Sequence, residues 1–274
     1  MNICFIGGGN MASAMVGGLL LNGTCKPGDI RVVEINESAR KKLAAQGIAV
    51  FAAAEGNALR GADVIVLAVK PQNMKEVATQ ISPHLAAGQV VLSIAAGIRL
   101  EDLSRWLGDG AGTCALVRAM PNTPALVSAG MTGLYARQLE AAQRQQVEEI
   151  ICATGAFVWV GQESDMDAVT AISGSGPAYF FYFIEALVQA GQELGLEDET
   201  ARQLALETAL GAARLAHDSP EDPATLRARV TSKNGTTERA LLSMEANQVK
   251  AHIIAAANAA AARAREMGDE LGAA

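Results

Sequence analysis

The sequence predicts an open, mostly parallel, doubly wound α/β sheet followed by an all-helical domain. Three observations carry that expectation. Short apolar runs alternate with helical segments from Ile3 to about Val160. A glycine-rich turn follows directly on the first run, at Gly7–Gly9. From Ser164 onward no strand-like run remains, only helical periodicity. The change of pattern sets two domains, residues 1–162 and residues 163–274.

In chain order, Ile3–Ile6 is the first strand and Met11–Asn22 a helix with Gly23 at its end. Asp29–Glu34 is a second strand, and Asn36 caps a helix that Gly47 stops. Ile48–Phe51 is a short third strand, Ala53–Arg60 a short helix, and Asp63–Val69 the apolar run of a strand buried on both faces. A helix to about His84, a strand at Gln89–Ile94, a helix at Arg99–Leu107 and a strand at Cys114–Met120 follow. Pro121 and Pro124 keep the next segment out of a helix interior. Strands at Gly133–Arg137 and Phe157–Val160 flank a helix at Glu140–Thr154.

Beyond Ser164 the helical segments are Asp165–Leu194, Glu199–His217, Pro223–Thr231, Thr236–Ala246 and Val249–Met267. Their apolar faces exceed what one small bundle buries, so part of this surface is expected to meet a second subunit.

The chain has 274 residues, half of them hydrophobic, and a formal net charge of −7. An acidic surface offers no attraction to nucleic acid or to an anionic membrane, and neither is expected as a partner. The four cysteines, Cys4, Cys25, Cys114 and Cys152, are widely spaced without a C-x-x-C. They read as idle thiols in a reducing cytoplasm. The apolar start has no basic flank and is broken at Gly7–Asn10, unlike a signal peptide. No apolar run approaches the ~18 residues of a membrane span. The three histidines, His84, His217 and His252, lack metal-binding spacing, so no metal is expected.

Gly7, Gly9 and Ala12 give the spacing G-x-G-x-x-A. The first glycine permits the tight turn, the second lets a pyrophosphate approach the backbone, and the small third residue lets helix pack on strand. Phosphates would rest on the amides of the helix that starts near Asn10. Ligands of such sheets bind beyond the carboxyl ends of the strands. Here those ends are Gly7–Met11, Glu34–Asn36, Ala68–Pro71, Ala95–Gly97 and Pro121–Pro124. Lys70 is placed either to reach a ribose or pyrophosphate, or simply as a solvated loop lysine. Glu34, about twenty residues past the turn, suits the ribose 2′-hydroxyl of NAD and repels a 2′-phosphate. Arg40 and Lys41 in the next helix can compensate that repulsion or merely solvate a helix face.

Two helical-domain segments break their context. Ile172–Tyr179, ISGSGPAY, sets glycines and a proline in an apolar helical stretch. A helix start with Pro177 in its first turn, a close backbone approach to a ligand, or a kink between core helices explains it. In Val230–Arg239, VTSKNGTTER, Ser232, Gly235, Thr236 and Thr237 lead into a helix. Amides turned together there form a nest sized for a carboxylate, although ordinary threonine capping explains part of the pattern.

Taken together, FIGGGNMA, AVKPQ, SIAAG, MPNTP, ISGSGPAYFF and VTSKNGTTERAL, in this order, resemble the Δ1-pyrroline-5-carboxylate reductase family along essentially the whole chain. The resemblance implies an N-terminal Rossmann domain, a helical dimerisation domain, and an active site at the interface of a homodimer, with a decamer of dimers as a larger assembly. It implies hydride transfer from NADP or NAD, in reduced form, to 1-pyrroline-5-carboxylate, giving L-proline. By that match Gly7, Gly9, Asn10, Met11, Ala68, Lys70, Pro71, Ala95 and Ala96 hold the cofactor. The substrate carboxylate falls to the loop before Thr236–Thr237, Thr237 faces the imine nitrogen, and Glu163 matches an acidic position near the ring. Members preferring NADPH often carry Ser, Thr or Asn where this chain has Glu34. Arg229 stands where some relatives have asparagine and receives no role.

A cyclic iminium accepts hydride directly, so the protein has mainly to hold the ring carbon within roughly 3–3.5 Å of the nicotinamide. Two other readings compete. A 3-hydroxyacid dehydrogenase would carry a lysine on the long interdomain helix, but Asp165–Leu194 contains none. A non-catalytic NAD(P)-sensing protein would bind the dinucleotide without turnover.

Overall fold

The chain is described here by a computed structural model covering residues 1–112 and 114–273. Eight strands form one sheet: β1 (Ile3–Ile6), β2 (Ile30–Val33), β3 (Ala49–Phe51), β4 (Val64–Leu67), β5 (Val90–Ser93), β6 (Ala115–Met120), β7 (Gly130–Ala136) and β8 (Gly155–Trp159). Their spatial order is β3-β2-β1-β4-β5-β6-β7-β8. The pairs are parallel except β6 with β7. The order reverses at β1, which lies between β2 and β4, and a crevice opens beyond the carboxyl ends of strands at such a switch point.

The connecting helices are α1 (Asn10–Leu21), α2 (Glu37–Ala44), α3 (Gly56–Leu59), α4 (Met74–Ile81), α5 (Leu100–Leu107) and α6 (Ala141–Cys152). They cover both faces, which explains why the central strands read as unbroken apolar runs. On one face Ile3, Phe5, Val64 and Val66 pack with Met15 and Leu19 of α1 and Ile150 of α6. On the other, Cys4, Ile6, Ile65 and Leu67 pack with Met74 and Ile81 of α4 and Leu103 of α5. Burial pushes the Cys4 thiol up to about 12 and that of Cys114 to about 11, so both stay protonated and inert near neutrality.

The remaining helices are α7 (Asp165–Val169), α8 (Gly176–Glu193), α9 (Asp198–Asp218), α10 (Pro223–Arg229), α11 (Thr236–Ala246) and α12 (Val249–Ala273). By contacts the chain divides into Met1–Ser175 with Ala260–Ala274, and Gly176–Ala259. Within the second unit α8 and α9 pack together at Gly191 and Ala201, where a side chain on Gly191 would meet the Ala201 Cβ at 2.9 Å. Phe180, Phe181, Tyr182, Leu204, Leu210 and Ile253 of this unit are exposed. Large apolar side chains exposed along α8 and α9 are the kind of surface that a partner covers. Among the described residues no helix is long and apolar enough to cross a membrane.

Of the boundaries that differ from the sequence expectation, three have a packing or backbone cause. β7 begins at Gly130 rather than Gly133, because Gly130 pairs with Gly155 of β8 and a side chain on Gly155 would strike the Gly130 backbone. Glycines mask strand propensity, which left this pairing invisible in the sequence. The expected single helix Asp165–Leu194 is instead α7, one π-turn at Thr170–Gly174, and α8. The turn is closed by the Ser175 N–H donating to the Thr170 carbonyl at 2.8 Å. Pro177 then sits in the first turn of α8, where its missing N–H costs nothing, so ISGSGPAY marks a helix start.

Finally, α12 runs on past Met267 to Ala273. Gly268 and Gly272 face α5 and its leading loop: a side chain at Gly268 would come within 3.0 Å of the Arg99 guanidinium, and one at Gly272 within 2.5 Å of the Asp102 carboxylate. Arg99 also pairs with Asp269 at 2.8 Å. Gly272→Leu is expected to destabilise the fold by about 1–3 kcal/mol through overpacking. Urea unfolding measures it, and an unchanged midpoint would mean that the helix end is not docked there.

Candidate active site

The strand ends are tied together before any ligand is considered. The Gly7 N–H donates to the Val33 carbonyl at 2.8 Å, the Ala68 N–H to Ile6 at 2.8 Å and the Ile94 N–H to Leu67 at 3.2 Å. These bonds bind the ends of β1, β2, β4 and β5 into one edge. Gly7 has φ +103°, and a Cβ there would lie 2.6 Å from the Ala68 carbonyl oxygen. Only glycine satisfies both conditions. Gly9, the residue preceding α1, is exposed with nothing within 4 Å of where a side chain would stand. That open face above a helix N-terminus fits a dinucleotide pyrophosphate. Ala12 is buried against the sheet, as its place in the motif requires.

Asn10 is exposed at the first turn of α1, and Met11 is half-buried against the core. Ala68 and Pro71 are half-buried at the end of β4, Lys70 between them is exposed, and Ala95 is buried with Ala96 beside it beyond β5. All lie in the first unit along the same edge. Glu34 is at this edge too, with a carboxylate turned inward: Oε2 accepts the Gly8 N–H and Oε1 the Asn36 N–H, both at 2.7 Å.

Glu163 is held by two partners. Its Oε1 accepts the Leu100 N–H at 2.6 Å, at the first turn of α5, and lies 3.3 Å from Arg118 Nη1. Arg118 reaches it from β6, with only 6% of its side chain exposed. Burial holds the Arg118 guanidinium below its usual range, an effect that Glu163 opposes. Ser93 of β5 is in register with Arg118, and its buried hydroxyl has no partner among the described residues. Sequence reasoning passed over Arg118, although an arginine inside the strand ALVRAM signals a buried charge that needs an acid.

The second group of expected residues lies in the other unit. Asp222 caps α10 by accepting the Ala224 and Thr225 amides at 2.9 and 3.1 Å. The Thr225 hydroxyl and amide hold its carboxyl below the usual range. The cap therefore contributes above that range and is lost as pH falls through the depressed value. After α10 the chain turns through Asn234, φ +60°, and the Gly235 N–H donates to the Ser232 carbonyl at 3.0 Å. A Cβ on Gly235 would collide with Ser232 Oγ. The Asn234 N–H is taken by Glu238 Oε2 at 2.7 Å. The first-turn amides of α11, at Thr236, Thr237 and Glu238, have no acceptor in their own helix.

An open concavity of about 650 Å³ adjoins this turn, walled by Asn234, Gly235, Thr236, Glu238 and Arg239. Thr237 is half-buried and Ser232 exposed; neither is among its lining residues. Arg229 pairs with Glu221. Among the described residues no three histidine, cysteine or carboxylate side chains gather as a metal site would.

The strand order with its switch at β1, the glycine turn and the joined helical domain define a Rossmann-type nicotinamide-dependent oxidoreductase. Residues 2–97 match the family model described as NADP oxidoreductase, coenzyme F420-dependent, and residues 163–267 the one described as pyrroline-5-carboxylate reductase dimerisation. A pyrroline-5-carboxylate reductase of Pseudomonas aeruginosa is 46% identical over 98% of each chain. The solved structure of a pyrroline-5-carboxylate reductase from Coxiella burnetii superposes with a TM-score of 0.91 at 39% identity, covering 97% of this chain and 98% of that one. Plasmodium falciparum pyrroline carboxylate reductase, solved with NADP bound, gives a TM-score of 0.85 at 29% identity over 98% of each. The chain belongs to the pyrroline-5-carboxylate reductase family.

Proposed function

We propose that this chain reduces the cyclic imine of 1-pyrroline-5-carboxylate to L-proline, the last step of proline biosynthesis, with NADPH or NADH as donor. The observation that carries this is the 46% identity to the Pseudomonas aeruginosa reductase over nearly the whole of both chains. The protein acts in the cytoplasm as a homodimer, with a decamer of dimers as the larger assembly. The exposed apolar faces of α8 and α9 and the dimerisation-model match support the dimer. In this reading residues 1–162 hold the dinucleotide and residues 163–274 the substrate and the partner subunit.

When bound, the reduced dinucleotide supplies a hydride. Gly7, Gly9, Asn10 and Met11 would hold its pyrophosphate, Glu34 its adenine-side ribose, and Ala68, Lys70, Pro71, Ala95 and Ala96 the rest of the molecule along the strand ends. The open face at Gly9 supports this assignment. The chain's own residues then have to bind and orient an anion with a basic ring nitrogen. Ser232, Gly235, Thr236 and Thr237 bind the carboxylate, for which the acceptor-free amides at the start of α11 are suited. The Thr237 hydroxyl hydrogen-bonds the ring nitrogen and sets its orientation. Glu163 takes the acidic position beside the ring, its own orientation set by the Leu100 amide and Arg118.

The test is the loss of NAD(P)H absorbance when pyrroline-5-carboxylate is added, run with both dinucleotides. Turnover giving proline is expected; binding of dinucleotide without oxidation would leave only a sensing role. Thr237→Ala is expected to lower kcat/KM by about tenfold, the effect of one hydrogen bond to a charged group. An unchanged kcat/KM would remove Thr237 from the site.

A further inference from the structure

Glu34 does more in this structure than end the second strand. Its two oxygens each accept one backbone N–H at 2.7 Å, from Gly8 in the glycine turn and from Asn36, the residue that caps α2. A carboxylate has roughly four lone-pair sites, so both oxygens retain capacity for a further donor. A ribose 2′-hydroxyl is such a donor. A 2′-phosphate is not: it brings only acceptors and negative charge, and it would compete with the carboxylate for the same two amides.

The neighbouring cations do not offset this. Arg40 is anchored through Nη1 to the main-chain carbonyls of Glu34 and Ile35, at 2.7 and 2.8 Å. Lys41 is paired with Glu37 at 2.7 Å. Gly8 adds a steric condition, since a side chain there would meet Glu34 Oε2 and Leu43 at 3.2 Å. The carboxylate is thus built into the turn, and seating a phosphate there requires breaking two charge-assisted hydrogen bonds.

We propose that Glu34 acts as an internal anion that fills the place of a 2′-phosphate by occupying the Gly8 and Asn36 amides, making this chain select NADH over NADPH. This rests on the reading of the Gly7–Met11 edge as the dinucleotide site. It deepens that reading by naming the donor. The same contacts make the preference reversible: removing the carboxylate frees the Gly8 and Asn36 amides, the donors that a phosphate needs.

The experiment is fluorescence titration of NADH and NADPH into the full-length protein without imine substrate. It covers the wild type, Glu34→Ser and Glu34→Gln, with unfolding curves for each. The wild type is expected to bind NADH tighter by roughly tenfold or more, reflecting like-charge repulsion of NADPH. Glu34→Ser should shift the ratio toward NADPH by at least a similar factor. Glu34→Gln keeps the length and one acceptor oxygen without charge, and should fall between. NADPH bound by the wild type as tightly as NADH overturns the proposal whatever the variants do. A ratio unchanged in two folded variants overturns it as well. Failure of the wild type to bind either dinucleotide overturns both this proposal and the reading beneath it. NADH preference without imine reduction sustains the proposal and overturns only the assigned reaction.

Discussion

Arg118→Met is expected to lower the free energy of unfolding by about 3–5 kcal/mol, the cost of leaving a buried charge without its partner. Arg118 is 6% exposed on β6 and Glu163 is 18% exposed. Neither can turn to water without disturbing its surroundings. Glu163 also accepts the Leu100 amide, so an unpaired carboxylate there loosens the first turn of α5. Glu163→Gln keeps an oxygen for that amide but leaves the more deeply buried Arg118 without its anion, and is expected to cost a similar amount. The double variant Arg118→Met with Glu163→Gln should recover part of the loss, since it strands no charge. Urea unfolding of the three proteins measures the coupling. An Arg118→Met midpoint within the range of ordinary surface substitutions would show that the pair does not brace the fold.

That pair also shows where the sequence ran short. The strands were legible because burial on both faces demands unbroken apolar runs, as at Ile3–Ile6 and Val64–Leu67. The glycine turn was legible because its constraint is local: Gly7 needs a positive φ, and Ala12 a small side chain. Asn36 is legible as a cap because its side chain acts within its own turn, accepting the Ala39 amide at 3.0 Å. What escaped depends on contacts between residues far apart. Arg118 and Glu163 are 45 positions apart, and only the register of β6 beside β5 brings the arginine to the edge. The run of α12 past Met267 escaped because nothing local says that Arg99 and Asp102 lie against Gly268 and Gly272.

The same limit applies to Glu34. Its place at the end of β2 was visible from spacing alone, and with it the preference for a ribose hydroxyl. That its carboxylate is already engaged by Gly8, 26 positions away, is a tertiary fact. It turns a general rule about acids at this position into a statement about which amides a phosphate would have to win.

The two glycines of the turn are expected to separate when each is changed to alanine. Gly7→Ala meets the fold itself. The new Cβ would stand 2.6 Å from the Ala68 carbonyl oxygen, at φ +103°, so the strand end must shift and a strained backbone adds about 1–3 kcal/mol. The Gly7 amide bond to Val33 and the alignment of β1 with β4 are at stake, and both stability and dinucleotide binding should fall. Gly9→Ala meets no protein atom within 4 Å, and φ −68° suits any residue. Its unfolding midpoint should match the wild type, while its methyl group occupies the open face over the α1 amides. Dinucleotide affinity should then fall by tenfold or more, about 1.4 kcal/mol or above. Urea unfolding and fluorescence titration on both variants give the comparison. If Gly9→Ala bound the dinucleotide as tightly as the wild type, the space above Gly9 could not be where the pyrophosphate rests, and the helix N-terminus would lose its assigned ligand.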